Sequence, residues 1–161
     1  MACIGTFEWN IQTGVNKWTP ELEAMYGLPR GGFTGTQEAW EMLVHPSDRH
    51  MAVNQVREAM GTGSFEGEWR VVWPDDTVHW LYGRGSVLKD ESGKPLKLVG
   101  VNIDITERKK AELALQESES RFRGVFEQAP MGIAMIDSIT VRFLQINPKY
   151  AEIIGRTQAE M

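Results

Sequence analysis

The sequence predicts an α+β protein: an antiparallel sheet with helices gathered on one face, continuing into a long charged helix. Three observations predict it. Alternating apolar runs bracket a block of helical patterns, so the order is two strands, helices, then three strands. All six tryptophans (9, 18, 40, 69, 73 and 80) precede residue 81, whereas residues 106–128 contain one glycine and no proline. The strand-like run Val99, Val101, Ile103, Ile105 passes into the helical "TERKKAE" with no Gly or Pro between.

"CIGTFEWNI" and "GVNKWT" read as two short strands around a turn at Thr13-Gly14. "PELEAMYG" has Pro at a first-turn position and Gly at its end, the usual asymmetry of a helix. "TQEAWEMLV" is a second short helix. "PSDRHMAVNQVREAMGTG" is a third, with Ser47 or Asp48 as cap, a stripe of Met51, Val53, Val56 and Met60, and Gly61 and Gly63 as stop. "SFEGEWRVVW" then turns at Pro74-Asp75-Asp76 into "TVHWLYGRGSVLK", and "DESGK" turns into "PLKLVGVNIDI". Short turns make this meander antiparallel, with the helices on one side. Strand parity puts Trp69 and Val71 on one face and Trp80 and Tyr82 on the other. In the last strand, Val99, Val101, Ile103 and Ile105 face outward, and Leu98, Gly100, Asn102 and Asp104 face inward. An apolar outer face calls for a covering partner. Asn102 carries a polar amide into the domain, where a ligand, a water or a backbone group must satisfy it.

The chain also repeats itself. "PELEAMYG" (20–27) aligns with "PKYAEIIG" (148–155), each after an apolar hairpin-like stretch, at an offset of about 128 residues. That spacing suits tandem domains. The second copy supplies about 30 residues of a fold of roughly 100, too few for a core. Residues 130–161 are therefore expected to be weakly ordered or to lean on a partner's surface.

The totals exclude several classes of function. A net charge of −5 offers no footprint for nucleic acid or an anionic membrane. One cysteine, Cys3, allows neither an internal disulfide nor a Cys-based metal cluster. No window reaches a membrane span of roughly 18 apolar residues, and the start is not a signal peptide. His45 and His50 are spaced H-x4-H, not the H-x3-H that puts two imidazoles on one helical face, so no metal site is assigned. "GTGSFEG" follows a helix and precedes a strand, the reverse of a phosphate-binding loop. With no nucleophile motif and no buried carboxylate pair, the segment is read as non-enzymatic.

Beyond Thr106 the apolar or small positions run Ala111, Leu115, Ser118, Phe122, Val125/Phe126 and Ala129, close to the 3.5-residue period of a parallel coiled coil. Glu117–Arg121 and Glu119–Arg123 are favourable i,i+4 pairs. Thr106 stands where a cap belongs and Glu107 suits the helix dipole. The alternative is an amphipathic helix folded back on its own domain.

Strand pair, helix block and a meander ending in "LVGVNIDITERKKAE" resemble a PAS domain with its C-terminal (PAC) motif. Asp104-Ile105-Thr106 is the most specific feature, supported by "EWRVVWPDDTVHWL" and "LVHPSDR". "SESRFRGVFEQAPMGIAMIDSITVRFLQINPKYAEIIG" resembles the opening of a second PAS domain. The match is most similar to PAS modules of bacterial sensor histidine kinases and diguanylate cyclases, which pass a signal through helical linkers to an output domain in cis. The resemblance implies a PAS domain over residues 1–105, a helical linker over 106–129 and a truncated second PAS domain over 130–161. It implies a five-stranded antiparallel sheet, a pocket between sheet and helices, and homodimerisation through the linker and the outer sheet face.

By the same resemblance Val53, Val56, Trp69, Val71, Leu81 and Asn102 face a small-molecule pocket, with Trp40 and Met42 as candidates to seal it. Asp104, Ile105 and Thr106 become the signal relay, and Ala111, Leu115, Phe122 and Phe126 the dimer or linker contacts. Light-sensing relatives carry an adduct-forming cysteine, whereas "TVRFLQ" has Val141 at that position and reads as a strand, so flavin is not expected. His50 is the residue by which a haem-binding relative's helix would hold iron; haem is a lesser reading. The cofactor is otherwise open. The expectation is a cytoplasmic sensory module, or the cytoplasmic part of a membrane-anchored sensor, with no direct membrane or nucleic-acid contact. The alternative is a ligand-free dimerisation module.

Overall fold

The computed structural model describes residues 4–155, in two compact units that meet between Lys109 and Lys110. Cys3 lies outside the described residues. The first unit contains β1 (Ile4–Asn10), β2 (Asn16–Trp18), α1 (Pro20–Met25), α2 (Gln37–Leu43), α3 (Pro46–Thr62), β3 (Ser64–Val72), β4 (Val78–Lys89), β5 (Pro95–Asp104) and the start of α4 (Thr106–Gln128). Its five strands form an antiparallel sheet in the order β2-β1-β5-β4-β3, so the first strand is paired to the last. The α+β architecture expected from the sequence is what is found.

Strand parity decides what the sheet buries. Phe65, Trp69 and Val71 of β3, Leu81 of β4, and Leu98 and Asn102 of β5 are buried on the inner face. Trp80, Tyr82, Val99, Val101 and Ile103 are only partly covered. Large rings on β3 and β1 need room over the neighbouring strands β4 and β5, and glycine supplies it. A side chain at Gly83 would run into the Trp69 ring, and one at Gly100 into the Phe7 ring. Leu22, Tyr26, Trp40, Val56 and Ala59 close the core from the helical side.

Three details of α3 differ from the sequence reading. Its buried residues are Ala52, Val56 and Ala59, while Val53 and Met60 are partly buried and Met51 is exposed. A stripe of small residues lets the helix lie close against β3, and apolar periodicity overlooks alanine. The cap is His45, whose Nδ1 accepts from the Ser47 amide at 3.2 Å. Asp48 is committed elsewhere, and Gly61 lies within the helix. Gly63 ends α3 in the left-handed region (φ 93°), donating to the Ala59 carbonyl.

The second unit, from Lys110, holds the rest of α4, a hairpin of β6 (Ala134–Ile136) and β7 (Phe143–Ile146), and α5 (Pro148–Ile154). The segment expected to be weakly ordered thus has local structure between residues 134 and 154. Asn147 is fully buried: its Oδ1 accepts from Ile133 and Tyr150 amides, and its Nδ2 donates to the Met131 carbonyl. Many apolar side chains here are nevertheless exposed, Ile139 by 90%.

Leu81 is fully buried at the centre of the inner face. Leu81→Ala should therefore lower the unfolding free energy by about 3 kcal/mol, measurable as a shifted midpoint in urea at an unchanged slope.

Candidate functional site

Two features of the first unit could serve a function: a cavity behind the sheet and the joint between β5 and α4. The cavity has a volume of about 30 Å3 and is lined by Phe7, Trp9, Asn16, Trp18, Leu22, Tyr26, Gln37, Trp40, Val56, Phe65, Trp69, Leu98 and Asn102. Of the pocket residues inferred from sequence, Trp40, Val56, Trp69 and Asn102 come together there. Val71 and Leu81 belong to the surrounding core, and Val53 is only partly buried beside it. Met42 does not seal the pocket: α2 turns Trp40 inward and leaves Met42 69% exposed.

Tyr26 organises the cavity and was missed from sequence. Its hydroxyl receives the indole N–H groups of Trp40 (3.0 Å) and Trp69 (3.4 Å) and the amide of Asn102 (3.3 Å). Asn102, left open between ligand and protein partner, is thus bound to a phenol. Burial pushes the Tyr26 hydroxyl up to about 12, so it stays neutral. Tyr26 is held by a tilted ring contact with Trp18 (4.6 Å between centroids), which stacks on Phe33 at 3.6 Å. The loop carrying Phe33 is tied down by Glu23, a buried carboxylate accepting from the Gly31 and Phe33 amides. Tyr26 and Glu23 sit at or near the end of a short helix, where no periodic pattern marks them. Phe65 shares the Trp69 face and could have been found by parity.

The joint is tighter than a continuous chain requires. The Ile105 amide donates to the Trp80 carbonyl at 2.9 Å, and the Trp80 amide donates to Thr106 Oγ1 at 3.0 Å. Thr106 therefore does not cap α4; its hydroxyl is spent on β4. The helix takes its first bond from Lys109 N–H to the Ile105 carbonyl, and Asp104 accepts from the Thr106 amide at 2.8 Å. On the outer face Lys109 Nζ lies 5.1 Å from the centre of the Trp80 ring, and the Arg70 guanidinium lies 5.6 Å from it. Glu68 pairs with Lys109 (2.6 Å) and Arg108 (2.5 Å), and these cations hold its carboxyl below the usual range. Arg70 is gripped by Asp48 of α3 through Nε (2.8 Å) and Nη2 (2.5 Å). A continuous set of contacts thus runs from α3 through β3 and Trp80 to the first turn of α4.

The remaining sequence candidates fall apart. Ala111, Leu115 and Phe122 are exposed on α4, whereas Phe126 is buried within the second unit, 5.4 Å from the Phe122 ring. His50 is exposed beside Asn54, and His79 stacks on Trp73. Neither histidine lines the cavity. Haem or flavin needs hundreds of Å3, so the residues present fit neither group, and β7 has Phe143–Ile146 as a strand.

Residues 15–102 match the family described as PAS fold, and residues 120–161 the one described as PAS domain. The chain is 32% identical over 96 residues to the two-component sensor PprA of Pseudomonas aeruginosa, covering 58% of this chain and 10% of that protein. It is 27% identical over 158 residues to the probable diguanylate cyclase DgcE of Escherichia coli, covering 98% of this chain and 14% of that one. The chain thus spans a small part of the length of these relatives. Among solved structures, a sensory box histidine kinase/response regulator from Burkholderia thailandensis superposes with a TM-score of 0.65 at 26% identity, over 76% of this chain and 92% of that chain.

Asp48 is held below the ordinary carboxylate range chiefly by its hydrogen bonds to the Arg70 side chain. A depressed pKa contributes stability that is full above the unfolded value, about 4 for Asp, and is lost as pH falls through the folded value. Asp48→Asn should therefore be less stable than the parent at pH 7, with the difference shrinking in urea titrations as pH falls below the ordinary carboxylate range.

Proposed function

The chain belongs to the PAS family, and from that premise we propose that it is a sensory, signal-transducing module of a larger bacterial signalling protein. In this reading residues 1–105 form the sensor, 106–129 the linker and 130–161 the start of a second PAS domain. A change at the cavity or at a dimer interface reaches α4 and, through it, a histidine kinase or diguanylate cyclase output domain in cis. The carrying observation is the joint: Ile105 and Thr106 are bonded to Trp80, which supports a route by which a shift of β4 is passed to α4. Likeness to a two-component sensor and a probable diguanylate cyclase supports the output classes. The exposed Leu115 and Phe122 support a homodimer through the linker, with the partly covered outer sheet face as a second contact. A cytoplasmic setting follows from the same reading; no helix among the described residues is long and apolar enough to cross a membrane.

A second reading, a structural dimerisation module whose cavity is filled by its own side chains, is favoured by the small cavity volume of about 30 Å3.

Thr106→Gly combined with one glycine inserted after Ile105 tests the joint in the full-length protein. The output activity should stop responding to its stimulus, and the Ile105 amide should exchange at least tenfold faster while Leu81 remains protected. An unchanged response would remove the relay. Leu115→Glu with Phe122→Glu should weaken self-association at least tenfold in sedimentation velocity; an unaltered dimer would place the interface elsewhere.

A further inference from the structure

Two residues that line the cavity, Trp9 and Asn16, each carry a buried polar atom with no hydrogen-bond partner among the described residues, Nε1 and Oδ1 respectively. One is a donor and the other an acceptor. Trp9 and Asn16 are directly opposed in the β1–β2 ladder, which places their Cβ atoms about 5 Å apart on one face. Asn16 is only 6% exposed. Buried groups of this kind are nearly always satisfied. These two do not satisfy each other, so a bridging group between them would meet both needs.

Three constraints define that group. The cavity of about 30 Å3 holds about two water-sized groups, since one water needs about 10–15 Å3. No charged side chain lines it, so an ion would be desolvated without a counter-charge. The bridging group must accept from an indole N–H and donate to an amide oxygen, which one hydroxyl does by itself.

We propose, building on the sensory reading above, that this cavity binds a small neutral hydroxyl-bearing molecule of about two or three heavy atoms, whose hydroxyl accepts from Trp9 Nε1 and donates to Asn16 Oδ1. Water shares this hydrogen-bonding chemistry but fills only part of the volume, and methanol and ethanol are the smallest molecules that meet the description. Tyr26 sits at the same wall and already receives three N–H groups. A phenol oxygen has about two acceptor positions, so its proton and one of those donors are available to a second polar atom. Displacement of Tyr26 would be felt by Trp69 on β3 and Asn102 on β5, the strands that flank β4 at Trp80.

Methanol and ethanol are suitable probes, with xenon as an apolar probe of similar size. The indole N–H resonances of the full chain would be followed by NMR, with Trp9 assigned by Trp9→Phe. The Trp9 signal should shift saturably with either alcohol, in the millimolar range set by the ceiling on affinity per heavy atom, and should not respond to xenon. Asn16→Leu should weaken the alcohols at least tenfold; if that variant does not fold, Trp9→Phe, read through the Trp40 and Trp69 indoles, should do the same. Linear shifts shared by all indoles would mean that the site holds water only, and affinities unchanged in both variants would mean that the alcohols bind elsewhere; either result would overturn the proposal. Saturable binding that leaves Ile105 amide exchange unaltered would sustain the ligand class and sink the relay reading. Absence of binding would sink the ligand class and leave the relay to the glycine-insertion experiment.

Discussion

Trp80 uses its backbone and its ring for the same end. The β4–β5 ladder runs out at Leu81 opposite Asp104, which would leave the next backbone groups of β4 to water. The Ile105 amide and Thr106 hydroxyl take them instead, so the sheet's hydrogen bonding continues into the first residue of α4. On the outer face the indole meets Lys109, and Glu68 holds the same lysine. Each backbone bond is worth about 1 kcal/mol, the cation–ring contact about 0.5–1 kcal/mol at an exposed site, and each surface ion pair at most about 1 kcal/mol. The hold on the first turn is therefore a few kcal/mol. Coupling energies between sites are typically about 1–3 kcal/mol, so a joint of this strength fixes the helix and remains within reach of a modest perturbation.

The inner side follows from an exchange of bulk between strands. β4 and β5 give up side chains at Gly83 and Gly100 so that Trp69 and Phe7 can lie across them. The rings, joined by Trp18 and Trp40 from the other side, leave a volume suited to water-sized groups. Where a larger pocket would be specified by the shape of its wall, this one is specified by hydrogen-bonding capacity. Tyr26 has more donors than its oxygen can accept, while Trp9 Nε1 and Asn16 Oδ1 have no partner among the described residues.

What the sequence disclosed divides along the range of the interactions involved. Period-2 alternation reports a strand's two faces directly, so Trp69, Val71, Leu81 and Asn102 were placed inward, Trp80 and Tyr82 outward, and the order of elements followed. In α3 the same logic failed, because Ala52 and Ala59 pack closely while contributing little to an apolar pattern. In α2, seven residues were too few to fix the helical phase, and Met42 was placed on the wrong side. Thr106 was also expected to cap α4, but its hydroxyl bonds to Trp80, 26 residues away. Tyr26 and Glu23 act through contacts with other segments, and nothing in their neighbours' pattern reports those contacts.

The internal repeat extends below the level of secondary structure. In the first unit Thr19, just before α1, accepts from the Thr6 amide of β1. At the same place in the repeat, Asn147 accepts from the Ile133 amide beside β6. Both helices begin with proline and are followed by a glycine in the left-handed region, Gly27 at φ 71° and Gly155 at φ 67°. Gly5 lies against Leu22 of α1, and Gly132 lies against Tyr150 of α5. Each of these ties spans fewer than 20 residues, so it costs little loop-closure entropy and forms without the remainder of the sheet. The cavity is different in kind, because it needs β1 paired to β5, with Gly5 opposite Asn102. A hairpin and one helix can therefore repeat the opening geometry of the fold, while a two-stranded ribbon alone stays marginal. The exposed Ile139, Leu144 and Ile153 of the second unit follow from having the local half of the fold's interactions without a partner strand on β6 among the described residues.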